Sequence, residues 1–305
     1  MSSDNRLQIG GVSLSSPDKV LFEEVGTTKS DLARYYEHAG TRMLPHIKKR
    51  LVSLVRCPDG RDNPCFFQRH GAKGFPETVR RLMIAEKSGE KDEYLYIDDM
   101  SGVISAVQMS TLEFHIWGSR VDRLESPDRL VFDLDPDQEL DFNAVRSAAF
   151  SVRDRLADLG LRTVPLLTGG KGIHVIAPLE RRREWPDVKD FARGFAKRLS
   201  EDEPERFLAE ASKAKREGRV FVDWLRNERS ATAIAPYSTR AKPGAPVATP
   251  VSWRELQTIA SSNAFKLASM AERLTAADPW AESAGWRQSI TDNMLKAVAR
   301  VQDLS

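Results

Sequence analysis

The 305-residue chain lacks three features that would each define a class of protein. It has only two cysteines, Cys57 and Cys65, which excludes a disulfide framework as its main source of stability. Their spacing from His46 and His70 matches no standard zinc-ligand pattern, so we expect two unlinked thiols. No apolar run approaches the roughly 18 residues of a membrane span, and the polar stretch MSSDNRLQIGG contains no signal segment. These absences predict a cytoplasmic protein without a membrane partner.

A strong excess of charge of either sign is also missing. Lys and Arg number 46 against 44 Asp and Glu, a net charge of +2, whereas a nucleic-acid-binding domain is usually strongly basic. Basic segments occur locally at 42–50, 181–183 and 213–219, and each is equally typical of a solvated helix face. Any site for a polyanion must therefore come from local clustering.

No internal repeat and no linker rich in Pro, Gly and Ser divides the chain, which favours one domain over residues 1–305. Apolar alternation predicts strands in RLVSLVRC, DEYLYIDD and TLEFHIWG, and the first helical pattern is expected to end before Pro45. Further helices are predicted over 141–159, 186–217 and 252–274. Because strands and helices do not alternate strictly, we predict an α+β fold with mixed or antiparallel sheets flanked by helices.

The stretch LVFDLDPD (130–137) combines the apolar letters of a buried strand with two carboxylates, Asp133 and Asp135. Residues two apart on a strand point to the same face, so the two carboxylates share one location. Buried like charges are costly unless a cation lies between them. Mg²⁺ and Mn²⁺ prefer carboxylate oxygens, and the pair is therefore a candidate metal site.

The stretch TGGKGIH (168–174) places three glycines within four positions. Such a loop lets the backbone approach a ligand and offers N–H groups to an anion, with Thr168, Lys171 and His174 supplying polar side chains. It lacks the spacing of a P-loop. A plain glycine hairpin with a surface lysine remains the alternative.

Asp223 interrupts the apolar strand FVDW, with Arg216, Arg219 and Arg226 close in sequence. Alone it is typical of a structural ion pair. Together with Asp133 and Asp135 it completes a set of three carboxylates that could hold two divalent ions, the arrangement that activates an attacking hydroxyl and stabilises a departing pyrophosphate.

A D-x-D strand also begins the first motif of the haloacid-dehalogenase phosphatases. Pro136 and Asp137 stand here where those phosphatases have Gly and Thr, and the motif lies in mid-chain. These departures count against a metal-dependent phosphatase with Asp133 as nucleophile, which is kept as an alternative because it shares the D-x-D strand. A non-catalytic module that binds DNA ends is another alternative.

Four ordered motifs carry a more specific resemblance: VFDLDP, TGGKGIHV, VFVDWLRN and TAIAPYSTRAKPGAPVATPVSWREL. With SSPDKVLF, LVRCPDG and CFFQRH, they resemble the polymerase domain of bacterial DNA ligase D, a member of the archaeo-eukaryotic primase superfamily that serves non-homologous end joining. The resemblance extends from about residue 8 to 260. It implies a primase-polymerase architecture with an RRM-like catalytic core. Residues 8–110 would contact DNA ends, 111–260 would form the metal and nucleotide site, and 261–305 would be a helical tail.

The resemblance also implies roles for individual residues. The metal-binding acids match Asp133, Asp135 and Asp223. The family's serine in the glycine motif is replaced here by Thr168. Nucleotide-binding positions match His115, Thr168, Gly169, Gly170, Lys171, Gly172, His174, Arg216, Arg240 and Lys242. The DNA side matches Lys19, Lys29, Arg56, Phe66 and Phe67: the lysines as readers of a downstream 5′-phosphate and the phenylalanines as stacking platforms. Strand alternation predicts that one of these two phenylalanines belongs to the core.

The implied activity is nucleotidyl transfer at DNA ends and short gaps with a 5′-phosphate. Two Mn²⁺ or Mg²⁺ ions would be the cofactors and NTP or dNTP the substrate, with ribonucleotides preferred. Ku and the ligase and phosphoesterase modules of ligase D are the implied partners, and the implied location is the bacterial nucleoid.

Overall fold

The computed structural model of the chain describes residues 7–72, 74–86, 89–212 and 215–299. The chain divides into two compact units, each described by itself below. The first unit comprises Met1–Ile116, Ile234–Ala248 and Phe265–Asp278; the second comprises Trp117–Ala233, Thr249–Ala264 and Pro279–Ser305. The assignment of residues 1–305 to one domain stays a prediction.

The strands of the described ranges are β1 Leu7–Ile9, β2 Val12–Leu14, β3 Val20–Phe22, β4 Thr27–Thr28, β5 Arg50–Arg56, β6 Phe66–Gln68, β7 Val79–Ala85, β8 Lys91–Ile97, β9 Thr111–Trp117, β10 Arg129–Pro136, β11 Val164–Leu167, β12 Ile173–Pro178, β13 Phe207–Leu208, β14 Val220–Asp223, β15 Thr232–Ile234 and β16 Thr249–Pro250. The α-helices are α1 Lys29–Ile47, α2 Met100–Gln108, α3 Phe142–Asp158, α4 Trp185–Asp202, α5 Trp253–Leu256, α6 Met270–Thr275 and α7 Asp292–Val298.

The main sheet of the first unit has the strand order β15-β9-β5-β8-β7, with β6 paired to β5 beside this path. The predicted alternation in β9 is confirmed, because Leu112, Phe114 and Ile116 are all buried on one face. The Phe114 ring packs edge-on against Tyr36 of α1, with 5.2 Å between the ring centroids. Helix packing thus covers this face, while Glu113 and His115 point to the other.

Helix α1 begins with the predicted capping box, in which Thr28 and Asp31 bond reciprocally. The expectation that it ends before Pro45 is wrong, since α1 continues to Ile47. Pro45 lies in the last turn, where the missing N–H costs only one bond, and burial of Met43 and Ile47 holds that turn against the core.

The main sheet of the second unit has the order β13-β14-β10-β12-β11-β16, antiparallel except for the β13–β14 pair. Helices α3 and α4 pack on one face, where the rings of Phe132 in β10 and Phe195 in α4 lie 4.8 Å apart. The opposite face carries the polar residues of β10. Antiparallel and mixed sheets with packed helices confirm the predicted α+β fold.

Two predicted helices are shorter than expected. Helix α4 ends at Asp202 instead of 217, because Pro204 cannot continue it and β13 follows; residues 213–214 lie outside the described ranges. Over 252–274 only the single turn of α5 and most of α6 form α-helix, since the polar stretch 261–263 between them favours hydrogen bonds to other segments. Residues 300–305 of the predicted helical tail lie outside the described ranges.

The expectation of two unlinked thiols is also wrong. Cys57 and Cys65 form a disulfide with their Cα atoms 4.4 Å apart. The turn between them brings the two Cβ atoms into bonding geometry, and sequence spacing alone cannot show such an approach. Within the described ranges, no helix is both long and apolar enough to cross a membrane.

Candidate functional site

Asp133 lies at the centre of the polar sheet face of the second unit. Its strand, β10, runs between β12 and β14, and the register places Asp133 directly opposite His174 on one side and Asp223 on the other. Directly opposed residues of antiparallel strands share a face of the sheet. Asp135, two residues further along β10, is on that face as well. The fold therefore brings together the three predicted metal-binding acids and His174.

Cationic neighbours surround Asp133. Its carboxylate lies 3.4 Å from His174 Nε2 and accepts a hydrogen bond from Arg226 Nη2 at 3.2 Å. Burial opposes its ionisation, but the charges and hydrogen bonds of His174 and Arg226 outweigh burial and hold the pKa of Asp133 below its ordinary value. This carboxylate is therefore ionised at neutral pH.

Asp223 responds in the opposite direction. Burial raises its pKa, and the nearby negative charge of Asp133 adds to that effect, while Arg226 opposes it from 3.2 Å. A buried carboxylate that resists ionisation beside a second carboxylate gains the most from an added cation.

Asp135 is more open to solvent, with about half of its side chain (51%) exposed. Arg216 forms an ion pair with it and lies over the Phe221 ring, 4.9 Å from the centroid. Phe221 is the register partner of Asp135, so this cluster extends the same polar face.

The donor set fits a divalent cation. Three carboxylates face two guanidinium groups, which leaves an excess of hard oxygen ligands of the kind that Mg²⁺ and Mn²⁺ prefer. In addition, His174 Nδ1 is buried without a hydrogen-bond partner in the described part of the chain. No group of three or more His, Cys, Asp or Glu side chains within the described ranges is already arranged around a common metal position. The ion pairs with Arg226 and Arg216 match the structural alternative raised for Asp223, and the metal assignment stays a proposal.

The glycine loop between β11 and β12 closes directly on β10. A Cβ atom at Gly172 would lie 2.5 Å from the Leu134 carbonyl oxygen and 3.4 Å from Asp133 Oδ1. Only glycine permits this approach. Gly169 has a φ of +69°, the left-handed conformation that shapes the turn. The loop therefore lies against Asp133, while Lys171 is exposed to solvent.

A residue that the sequence analysis missed holds this loop. Ser262 Oγ accepts from the Thr168 N–H at 3.1 Å and donates to the Gly172 carbonyl at 2.5 Å, and the Ser262 carbonyl accepts from the Gly169 N–H at 3.2 Å. The buried Thr168 hydroxyl also donates to Gly172, at 2.9 Å. Ser262 is about 90 residues away in sequence, and no motif signals its role.

A second polar cluster lies in the first unit, on the face of β9 opposite to Leu112, Phe114 and Ile116. Glu113 Oε2 accepts from His115 Nε2 at 2.8 Å and lies 3.1 Å from Arg240 Nε, while Glu113 Oε1 accepts from the Ala241 N–H at 2.7 Å. Although burial opposes ionisation, these partners lower the pKa of Glu113 to about 2. The cluster joins two predicted nucleotide-binding residues, His115 and Arg240. The sequence analysis did not select Glu113. Lys242 is exposed nearby in the chain.

The predicted phosphate-reading lysines differ in environment. Lys29 is buried, donates from Nζ to the Ser15 carbonyl at 2.8 Å, and has a pKa lowered by burial and by the charge of Lys19. Lys19 is partly exposed and lies 3.4 Å from Asp59. Two lysines held close together suit an anion that would offset their mutual repulsion.

Phe66 and Phe67 are 46% and 66% exposed, so the expectation that one of them belongs to the core is wrong. β6 is a three-residue strand that pairs with β5 beside the main path of the sheet, and both rings stay accessible there. Arg56 lies over the Phe66 ring at 5.4 Å, whereas the Phe67 ring meets His115 edge-on at 5.6 Å. Both rings are therefore available to stack on a planar ligand.

The fold and this site define a class: an α+β protein with an acid-rich sheet face beside a glycine loop. The family model described as the LigD primase-polymerase domain matches residues 28–280. The chain belongs to this family.

Known relatives agree with this assignment. The chain is 38% identical over 299 residues to the multifunctional non-homologous end joining protein LigD of Pseudomonas aeruginosa, covering 97% of this chain and 36% of the relative. It is 38% identical over 253 residues to the LigD DNA repair protein of Mycobacterium tuberculosis, covering 80% and 33%. The chain thus spans about a third of the length of these curated relatives.

A solved structure is similar throughout its length. It is the polymerase domain of Mycobacterium tuberculosis ligase D in complex with DNA, with a TM-score of 0.83 and 33% identity. The match covers 90% of this chain and 98% of the other. These findings favour the polymerase hypothesis over the phosphatase.

Proposed function

We propose that this chain is a DNA-directed nucleotidyl transferase that adds nucleotides to DNA 3′ ends and short gaps during non-homologous end joining. One observation carries the proposal. Asp133, Asp135 and Asp223 lie on one sheet face, and a glycine loop closes on Asp133. Family membership and a similar structure in complex with DNA support it.

In this proposal the three acids hold two divalent ions, Mn²⁺ or Mg²⁺, which supply activation of the primer hydroxyl and charge neutralisation at the leaving pyrophosphate. Arg226 forms ion pairs with both Asp133 and Asp223 and would balance part of their charge in the absence of metal. His174 orients Asp133 from the neighbouring strand.

The remaining predicted residues divide into two groups. The loop 169–172 binds phosphate oxygens through backbone N–H groups other than that of Gly169, which donates to Ser262. His115, Arg216, Arg240 and Lys242 contribute positive charge or hydrogen bonds to the nucleotide. On the DNA side, Phe66 and Phe67 stack on bases, and stacking needs no particular sequence. Lys19, Lys29 and Arg56 bind phosphates there.

The proposal includes three finer statements that rest on the family. Ribonucleotides are preferred over deoxyribonucleotides. A downstream 5′-phosphate stimulates extension. Ku and the ligase and phosphoesterase modules of full-length LigD proteins are the partners, which would place the protein at the bacterial nucleoid.

The decisive experiment is extension of a labelled primer across a short gap, with and without a 5′-phosphate on the downstream strand. Reactions contain NTP or dNTP, and Mn²⁺, Mg²⁺ or a chelator. We expect metal-dependent addition that is greater with NTP and with the phosphate. Addition that persists in the chelator would contradict the two-metal proposal.

The same assay separates the alternatives. DNA binding without addition under any metal would favour a non-catalytic end-binding module. Release of phosphate from small esters without DNA binding would favour the phosphatase. The Lys29→Ala variant should lose only the stimulation by the 5′-phosphate; an equal loss on plain primer-templates would remove Lys29 from that role.

A further inference from the structure

We propose that Glu113 is a positioning residue for nucleotide binding, which holds the side chains of His115 and Arg240 in place. This inference rests on the proposed function, since it takes His115 and Arg240 as nucleotide contacts. Glu113 belongs to none of the motifs that suggested that function.

The geometry gives Glu113 a central place. His115 is two residues along β9, so the two side chains share a face of the sheet, and the imidazole Nε2–H donates to Glu113 Oε2 at 2.8 Å. Arg240 comes from a distant part of the chain and approaches the same oxygen to 3.1 Å. The Ala241 N–H donates to the other oxygen at 2.7 Å and ties the backbone after Arg240 to the same carboxylate.

The carboxylate is buried, with only 8% of its side chain exposed. A buried acid is stable only when charged or hydrogen-bonding partners compensate for lost hydration. The three partners of Glu113 described above come from two short segments, β9 and 240–241. Glu113 and its two partners therefore depend on each other. His115 and Arg240 make the burial of Glu113 possible, and Glu113 in turn holds both side chains in one orientation.

The chemistry of the two held side chains points to the class of ligand. The Arg240 guanidinium and the His115 imidazole are both groups that bind phosphate oxygens, so the cluster suits the phosphates of a nucleoside triphosphate. The edge-on contact between His115 and Phe67 adds an exposed aromatic ring at the side of this cluster. Glu113 thus fixes the orientation of the His115 and Arg240 side chains, which can contact a ligand.

The test is steady-state extension with varied ATP and saturating gapped DNA and Mn²⁺. The Glu113→Gln variant keeps the shape of the side chain but removes its charge, which weakens two charge-assisted contacts. We expect the KM for ATP to rise about 10- to 100-fold with a smaller change in kcat, because charge-assisted hydrogen bonds contribute about 1.5–3 kcal/mol.

Matched variants separate positioning from general destabilisation. Leu112→Val perturbs the same strand on its opposite, buried face and should leave the KM unchanged. In the double variant Glu113→Gln/Arg240→Ala, the KM for ATP should rise by a smaller factor than the product of the two single-variant factors, since Glu113 acts through Arg240. If Glu113→Gln does not fold, Glu113→Asp keeps the charge on a shorter stem and should raise the KM by a smaller factor.

The outcomes are distinguishable. A wild-type chain without extension activity contradicts the proposed function, and the inference with it. An active wild type with an unchanged KM in Glu113→Gln overturns the inference alone. So does an equal rise of KM in Leu112→Val, or fully multiplicative effects in the double variant.

Discussion

The two units carry polar clusters of similar construction that differ in their number of carboxylates. In the first unit, one acid, Glu113, faces His115 and Arg240. In the second, Asp135 and Asp223 lie on the same sheet face as Asp133, with His174 and two arginines as partners. An arginine and a histidine suit a phosphate, whereas three carboxylates suit a metal ion.

Burial acts on both clusters, but the outcome depends on the number of cations. The partners of Glu113 overcome its burial and lower its pKa to about 2. Asp223 shares its arginine with Asp133, and its pKa is raised. The cost of burying a charged carboxylate is thus fully offset by the partners of Glu113, whereas it is only partly offset for Asp223.

The largest expected effect tests the acid-rich cluster. Asp133→Asn removes the charge at its centre without changing its size, and should reduce extension by at least about 10²–10³-fold. DNA binding should persist. The exposed Glu139→Gln, just beyond the same strand, is the control and should retain activity. Retained synthesis with normal metal dependence in Asp133→Asn would contradict the metal assignment.

The buried carboxylate of Glu113 predicts how the stability of the fold depends on pH. Because the pKa of Glu113 lies at about 2 in the folded chain against an ordinary 4.5, its stabilisation is present above about pH 4.5 and is lost as pH falls toward 2. Glu113→Gln should therefore lower the free energy of unfolding at pH 7 by an amount on the order of 3 kcal/mol. Urea unfolding at pH 7, 4 and 3 measures the difference.

The difference in unfolding free energy between Glu113→Gln and the wild type should become smaller as the pH decreases. A difference that is constant across this range would mean that the ionised form of Glu113 is not what stabilises the fold. Leu112→Val, which carries no charge, should show such a constant difference.

The next prediction concerns the glycine loop, which closely approaches β10 in the second unit. Gly172→Ala would place a methyl group 2.5 Å from the Leu134 carbonyl, so the loop must shift. We expect extension to decrease about 100-fold, with a loss of about 1–3 kcal/mol in unfolding free energy. Gly285→Ala is the control, because its added Cβ meets no atom within 4 Å. Equal activity of the two variants would show that the loop is not part of the site.

The smallest effect concerns Ser262. Ser262→Ala leaves the Thr168 N–H without its side-chain acceptor but keeps the backbone bond from Gly169. We expect about a tenfold loss of extension and a loss of about 1–3 kcal/mol in unfolding free energy. Ser261→Ala, one residue earlier, should have no effect on extension. Identical kinetics for the two variants would mean that Ser262 supports only the fold.

Local pattern was sufficient for several elements of the site. The D-x-D spacing places Asp133 and Asp135 on one face because strand periodicity is two, and the same rule separates His115 from Phe114. The glycines of 168–172 signal a close backbone approach. Each of these inferences depends only on neighbours within a few residues.

Other features depend on contacts across long sequence separations. The pairing of Asp133 with Asp223 follows from the register of two strands about 90 residues apart, and the bond from Ser262 to the loop spans a similar distance. The last turn of α1 beyond Pro45 was predicted incorrectly because packing of Met43 and Ile47 in the core holds it. The disulfide was predicted incorrectly although its cysteines are only 8 residues apart, because spacing does not show the geometry of the turn between them. Propensity rules consider one segment at a time, whereas tertiary contacts determine which segments pack against each other.

The sequence by itself thus determined the α+β class, the family and the acids that could bind metal, because motif order and strand periodicity are local properties. Only the tertiary structure decided which cation each acid faces, that Glu113 joins His115 to Arg240, and that Phe66 and Phe67 are both exposed. Charge pairing and burial are set by strand register and packing. Those follow from the free energy of the whole chain rather than of any one segment.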